Sequence, residues 1–71
     1  MGIGDKVSVK INLKDGDIFK TASFTRFMNV YRGKNTIINS ININGSYCLE
    51  DMEPWRFDEE MLELIEQAHG D

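Results

Sequence analysis

The chain contains one cysteine, one proline, one histidine and one tryptophan in 71 residues. With Cys48 alone, an intramolecular disulfide is excluded. A domain of this size must then be held by a thin core or by a partner subunit, and a lone thiol fits a reducing compartment. No stretch approaches the ~18 apolar residues of a membrane-spanning helix. The start, "MGIGDKVSVK", has no apolar run of the secretory kind. Gly2 is followed at position 6 by Lys6, where a myristoylation motif needs Ser or Thr. These absences point to a single domain spanning 1–71, without a membrane partner, in the cytoplasm of a bacterium or a phage-infected cell. Abundant Asn, Ile and Lys with little Ala and Pro point the same way.

Chemistry-bearing motifs are equally scarce. His69 and Cys48 supply two metal ligands from distant positions, fewer than a zinc site needs. His69 is better placed to complement a helix end, and Cys48 to act as a small strand hydrophobe. "DGD" at Asp15 to Asp17 starts like a calcium loop but continues with Phe19 and Arg26 where oxygen ligands belong. "GIG" at Gly2 to Gly4 precedes a strand rather than following one, so it is no nucleotide loop. "NGS" at Asn44 to Ser46 reads as a turn. No enzyme, cofactor or metal is expected.

What the chain does have is an uneven charge. The net charge is −4. Residues 1–35 carry seven Lys or Arg against three Asp, and residues 36–71 carry Arg56 alone against nine carboxylates. One half is therefore at +4 and the other at −8, which predicts a basic and an acidic surface on one small body.

Periodicity gives the elements. Val7, Val9, Ile11 and Leu13 alternate with Lys6, Ser8, Lys10, Asn12 and Lys14, the mark of a strand with one buried face. Asp15-Gly16 predicts a two-residue hairpin loop, with a second strand over Ile18 to Thr21. In that register Ile18 pairs with Leu13 on the core face and Phe19 joins the lysines outside. Phe24, Phe27, Met28 and Tyr31 then switch to helical spacing. They predict a helix over 24–32 with Ser23 as N-cap and Gly33 at C′. "TIINSINI" and "SYCLE" read as strands joined by a type I′ turn at Asn44-Gly45. After Pro54, a hydrophobic staple of Phe57 and Leu62 around Asp58 opens a second helix, Asp58 to His69, ended by Gly70. Its apolar stripe is Met61, Leu62, Ile65 and Ala68. The expected fold is α+β: a four-stranded antiparallel sheet with two helices on one face, in the order β-β-α-β-β-α.

Two functional readings follow. In the first, the chain is a small non-enzymatic protein-interaction module. Its acidic C-terminal helix would present Glu59, Glu60, Glu63 and Glu66, with Trp55 beside them, to a basic surface on another protein. In size and acidity the chain resembles phage-encoded inhibitors: anti-CRISPR proteins, uracil-DNA glycosylase inhibitors and antirestriction proteins. That resemblance of type implies an inhibitor of a nucleic-acid-handling protein that mimics DNA charge. In the second reading the sheet's lysine face binds single-stranded nucleic acid. Lys6, Lys10, Lys14 and Lys20 would meet phosphates, while Phe19 and Tyr47 stack bases. Attraction between the two charged halves of different copies, together with a thin core, also favours a homodimer.

Overall fold

The computed structural model describes residues 1–68. The expected helix-end His69 and the helix-terminating Gly70 lie outside the described residues. Five strands form one antiparallel sheet: β1 (Lys6–Val9), β2 (Asn35–Ile41), β3 (Tyr47–Leu49), β4 (Arg56–Phe57) and β5 (Leu62–Glu66). Two short 3-10 segments join them, η1 (Arg26–Tyr31) and η2 (Glu59–Met61). The strand order is β4-β3-β2-β1-β5, a half-barrel. Val7, Val9, Phe24, Ile38, Leu49 and Phe57 are among the fully buried side chains that fill its concave face.

The α+β expectation is therefore corrected: there are five strands instead of four, and no α-helix among the described residues. The largest correction is the C-terminal helix. Asp58 does cap a turn, its side chain accepting from the Glu60 N–H, but the turn stops at Met61. The chain then pairs with β1, setting Leu62 opposite Val9, Glu63 opposite Ser8 and Leu64 opposite Val7. Leu62 is buried beside Val9 and Leu64, opposite Val7, is on the same side but 40% exposed, a period of two that competes with the helical stripe. A helix here would leave one edge of β1 without hydrogen-bond partners, which a buried strand does not tolerate.

The other differences share one cause, an early end to β1. It stops at Val9 because the Lys10 N–H turns to the Met61 carbonyl (2.9 Å), while the Val9 N–H donates to the Lys34 carbonyl and the Val9 carbonyl accepts the Gly33 N–H, just after η1. Leu13 still reaches the core, but Ile11 is 78% exposed. Asp15-Gly16 does form a turn, with the Asp17 N–H bonded to the Lys14 carbonyl. Gly16 alone has positive φ there, at 89°, the type II arrangement rather than the type I′ that continues a ladder. The expected strand over Ile18 to Thr21 is reduced to one bridge, Ile18 to Ser23, and Ile18 is 82% exposed.

The helix expected over 24–32 is a 3-10 segment with Thr25 rather than Ser23 at its N-cap position, and Gly33 follows at φ 74°. Three residues per turn send Met28 and Tyr31 inward and leave Phe27 and Val30 outside. The β2–β3 hairpin forms as expected, but through a three-residue loop. The Gly45 N–H bonds to the Asn42 carbonyl, and Gly45 takes the left-handed position at φ 91°.

Phe24 is fully buried, with the Arg32 guanidinium 5.1 Å from its ring centroid. Phe24→Ala should cost about 3–5 kcal/mol, a large part of the 5–15 kcal/mol typical of a domain. Urea unfolding should show a midpoint shifted down accordingly. Far-UV circular dichroism of the unmodified chain should show a sheet spectrum without the paired helical minima.

Candidate functional site

Two aspartates organise the surface. Asp58 follows β4, whose Phe57 is fully buried and meets the edge of Tyr31 at 6.2 Å. One Asp58 oxygen accepts the Thr21 N–H at 2.9 Å and the Thr21 hydroxyl, and the other accepts the Glu60 N–H at 2.9 Å. The Thr21 carbonyl in turn accepts Asn44 Nδ2 at 3.2 Å. Asn44 Oδ1 takes both the N–H and the hydroxyl of the buried Ser46. The loop before η1, the β2–β3 tip and η2 thus meet around a cleft of about 520 Å³, with Lys20, Tyr47, Glu59 and Glu60 on its walls.

Burial pushes the Asp58 pKa up, but the Thr21 hydroxyl, the N–H groups of Glu60 and Thr21 and the charge of Lys20 outweigh it, and the carboxyl lies below its ordinary value. The Tyr47 phenol is raised, by burial first and then by Glu59, Asp58 and Asp5. Both Asp58 oxygens accept bonds from the chain's own donors, so this carboxylate is a structural junction. The second aspartate, Asp5, joins strand to strand. Its oxygens accept the Ala68 and Gly2 N–H groups, each at 2.7 Å, and these bonds lower its pKa.

The carboxylates read as one helical face divide into two groups. Glu59 and Glu60 stand on η2 at the cleft. Glu63 and Glu66 lie along β5, opposite Ser8 and Lys6 on the convex face, with a bulge at Ile65 that keeps both outward. All four are exposed. Trp55 is half-buried against the core, its ring stacked on Phe27 at 5.9 Å and 9°.

The lysines do not form one strand face. Lys6 stands opposite Glu66 and beside a shallow groove that Glu50 and Asp51 also line. Lys10 follows the end of β1, Lys14 opens a turn, and Lys20 lies at the cleft with Asp58 and Glu60. Phe19 packs partly buried against the core instead of facing out among them.

Cys48 is a free, half-buried thiol bonded by Asn42 Nδ2 at 3.4 Å. Among the described residues no group of three or more His, Cys, Asp or Glu is placed to hold a metal, and no helix is long and apolar enough to cross a membrane. The Asp58–Thr21 contact joins residues 37 apart and left no local signal; only the capping role of Asp58 was readable. The sequence matches no protein-family model, and no curated protein or solved structure gives a significant match.

Because the folded-state pKa of Asp58 is depressed, its contribution to stability is fully present above the ordinary aspartate value of ~3.9. It is lost as pH falls from there through the lower folded value. Asp58→Asn should lower stability at neutral pH by about 1–3 kcal/mol. It should also flatten the loss of stability below pH ~4, as read from urea midpoints across an acid series.

Proposed function

We propose that this protein is a small binding module without chemistry of its own, which engages a basic surface on another protein through Glu59, Glu60, Glu63 and Glu66. The observation that carries this reading is the way those carboxylates are mounted. Asp58 fixes η2, and β1 fixes β5 residue by residue, so four exposed negative charges stand on hydrogen-bonded backbone rather than on a free tail. Charges held in place attract a complementary surface without the entropy loss of ordering a loop.

The partner class follows from that chemistry. A basic surface that accepts fixed carboxylates is of the kind that accepts phosphates, so the favoured target is a nucleic-acid-handling protein whose site the module occupies. In this reading the module acts in the cytoplasm of a bacterial or phage-infected cell. Trp55, stacked on Phe27 beside η1, offers an aromatic contact of the type that anchors interfaces. The single-stranded nucleic-acid reading has less support. Lys6 and Lys20 stand among carboxylates, and Phe19 is turned into the core.

Affinity capture from bacterial lysate, with and without nuclease, should retain one basic partner that survives nuclease and elutes with salt. Glu59→Lys combined with Glu63→Lys should weaken that capture at least tenfold, about 1.4 kcal/mol, while Lys10→Glu should leave it intact. Retention that vanishes with nuclease and with Lys10→Glu would overturn the proposal in favour of nucleic acid.

A further inference from the structure

Tyr47 is the one aromatic residue on the cleft beside Asp58. It stands on β3, paired with Phe57 of β4. Its ring belongs to the core, and only 8% of the residue is exposed. Yet its hydroxyl makes no hydrogen bond among the described residues. The other buried polar side chains nearby, Ser46 and Asp58, are both bonded. Burial raises the phenol's pKa first, and then the charges of Glu59 and Asp58 do, so the oxygen lies within the field of the cleft carboxylates. A phenol can donate one hydrogen bond and accept others. Here both capacities are left to whatever enters the cleft.

Three carboxylates and one ammonium group line the cleft, a net charge of −2. They are not equivalent. Asp58 holds bonds from the chain's own donors on both oxygens, and the Lys20 charge bears on it. Glu59 and Glu60 are exposed, and their carboxylates accept no hydrogen bond among the described residues. What fits beside them is a cation with several N–H groups. A guanidinium meets that need, because its planar fork can give one N–H to the Tyr47 oxygen and others to Glu59 or Glu60. An ammonium is a compact, strongly hydrated point charge, and Lys20 already supplies one here. A metal ion is disfavoured, since no group of three or more carboxylate, His or Cys ligands forms among the described residues.

We infer that this cleft seats one arginine side chain of the basic partner, with Tyr47 as its buried contact and Glu59 and Glu60 as its charged ones. The inference rests on the reading that these carboxylates meet a basic protein surface, and it adds selectivity to it. Glu63 and Glu66, on β5, supply general attraction, whereas the cleft distinguishes arginine from lysine. A hydrogen bond from a charged donor to a sheltered acceptor is stronger than one on open surface, and tyrosine and arginine are the residues that most often carry interface energy.

The test uses the purified chain and N-acetylarginine amide as the probe, followed through the amide NMR spectrum. Saturable shifts are expected over residues 20–21, 44–47 and 58–60, and smaller ones with N-acetyllysine amide. Tyr47→Phe keeps the ring and removes only the hydroxyl. It should weaken binding at least tenfold, and its own amide spectrum shows whether it is folded. Glu59→Gln with Glu60→Gln, at exposed positions, should weaken binding as well, while Glu63→Gln with Glu66→Gln should change it by less than about twofold. The inference is overturned if no saturable shift appears, if the lysine probe binds as well, or if folded Tyr47→Phe binds unchanged. Shifts confined to residues 62–66 would also overturn it, yet would leave the carboxylate surface as the site for a basic partner. Failure to capture any partner from lysate would remove that wider reading without altering the result with the probe.

Discussion

The fold depends on β1 being paired along both edges. Val7 and Val9 are fully excluded from water, and the backbone that carries them is closed by β2 on one side and β5 on the other. A strand in that position cannot leave a row of amide groups open, since each unpaired buried group costs about 1–3 kcal/mol. The acidic C-terminal segment is drawn into the sheet for this reason, despite a composition rich in helix-forming residues. The Asp5 carboxylate completes the arrangement by holding Gly2 and Ala68 together at the same end of the β1–β5 pair. The charge layout is then a by-product of pairing: Leu62 goes to the core, and Glu63 and Glu66 go to water.

How much of this was legible in the sequence differs by element. The alternation of Val7 with Val9 gave β1 its two faces, and the β-branched run before Asn44-Gly45 gave the β2–β3 hairpin. Both signals are local. Asp58 was also readable as a cap, because a cap needs only its next two residues. The identity of the segment it opens was not readable. Leu62 to Glu66 satisfies a helical stripe and a strand alternation alike, and the choice is made by Val7 and Val9, far away in the chain. Ile11 was misread for a related reason: the alternation continues past Val9, but the backbone bonds of Lys10 go elsewhere. Phe27 belonged to a stripe that holds at 3.6 residues per turn and fails at 3.0. Of the surface residues, the carboxylates were legible as exposed, whereas their division between the cleft and β5 required the sheet register.

The polar junctions explain how so little apolar area suffices. The excursion between β1 and β2 has one short 3-10 segment, which on its own would be marginal. Thr21 and Asn44 tie it to η2 and to the hairpin tip through Asp58, while Phe24 and Met28 anchor it from beneath. The buried Asp58 carboxylate is satisfied by the Thr21 and Glu60 backbone N–H groups, so these loop segments are tied to one another at the cleft. The same economy leaves Ile3, Ile11, Ile18, Phe27, Val30 and Ile43 more than half exposed, more apolar surface than a chain this short can fold inward.

The pairing of β1 with β5 also sets the order in which the molecule can be completed. β1 is the first strand to leave the ribosome and β5 the last, so until residue 66 has emerged β1 has only β2 beside it. The hairpin and the η1 excursion can assemble earlier, but the half-barrel lacks one wall, and the concave face carrying Val7 and Val9 stays open to water. Native structure therefore arrives in a late, cooperative step governed by a contact of high sequence separation, the kind that folds slowly relative to chain length. Through that interval the nascent chain displays a lysine-flanked strand edge, and those lysines guard it against pairing with other nascent chains.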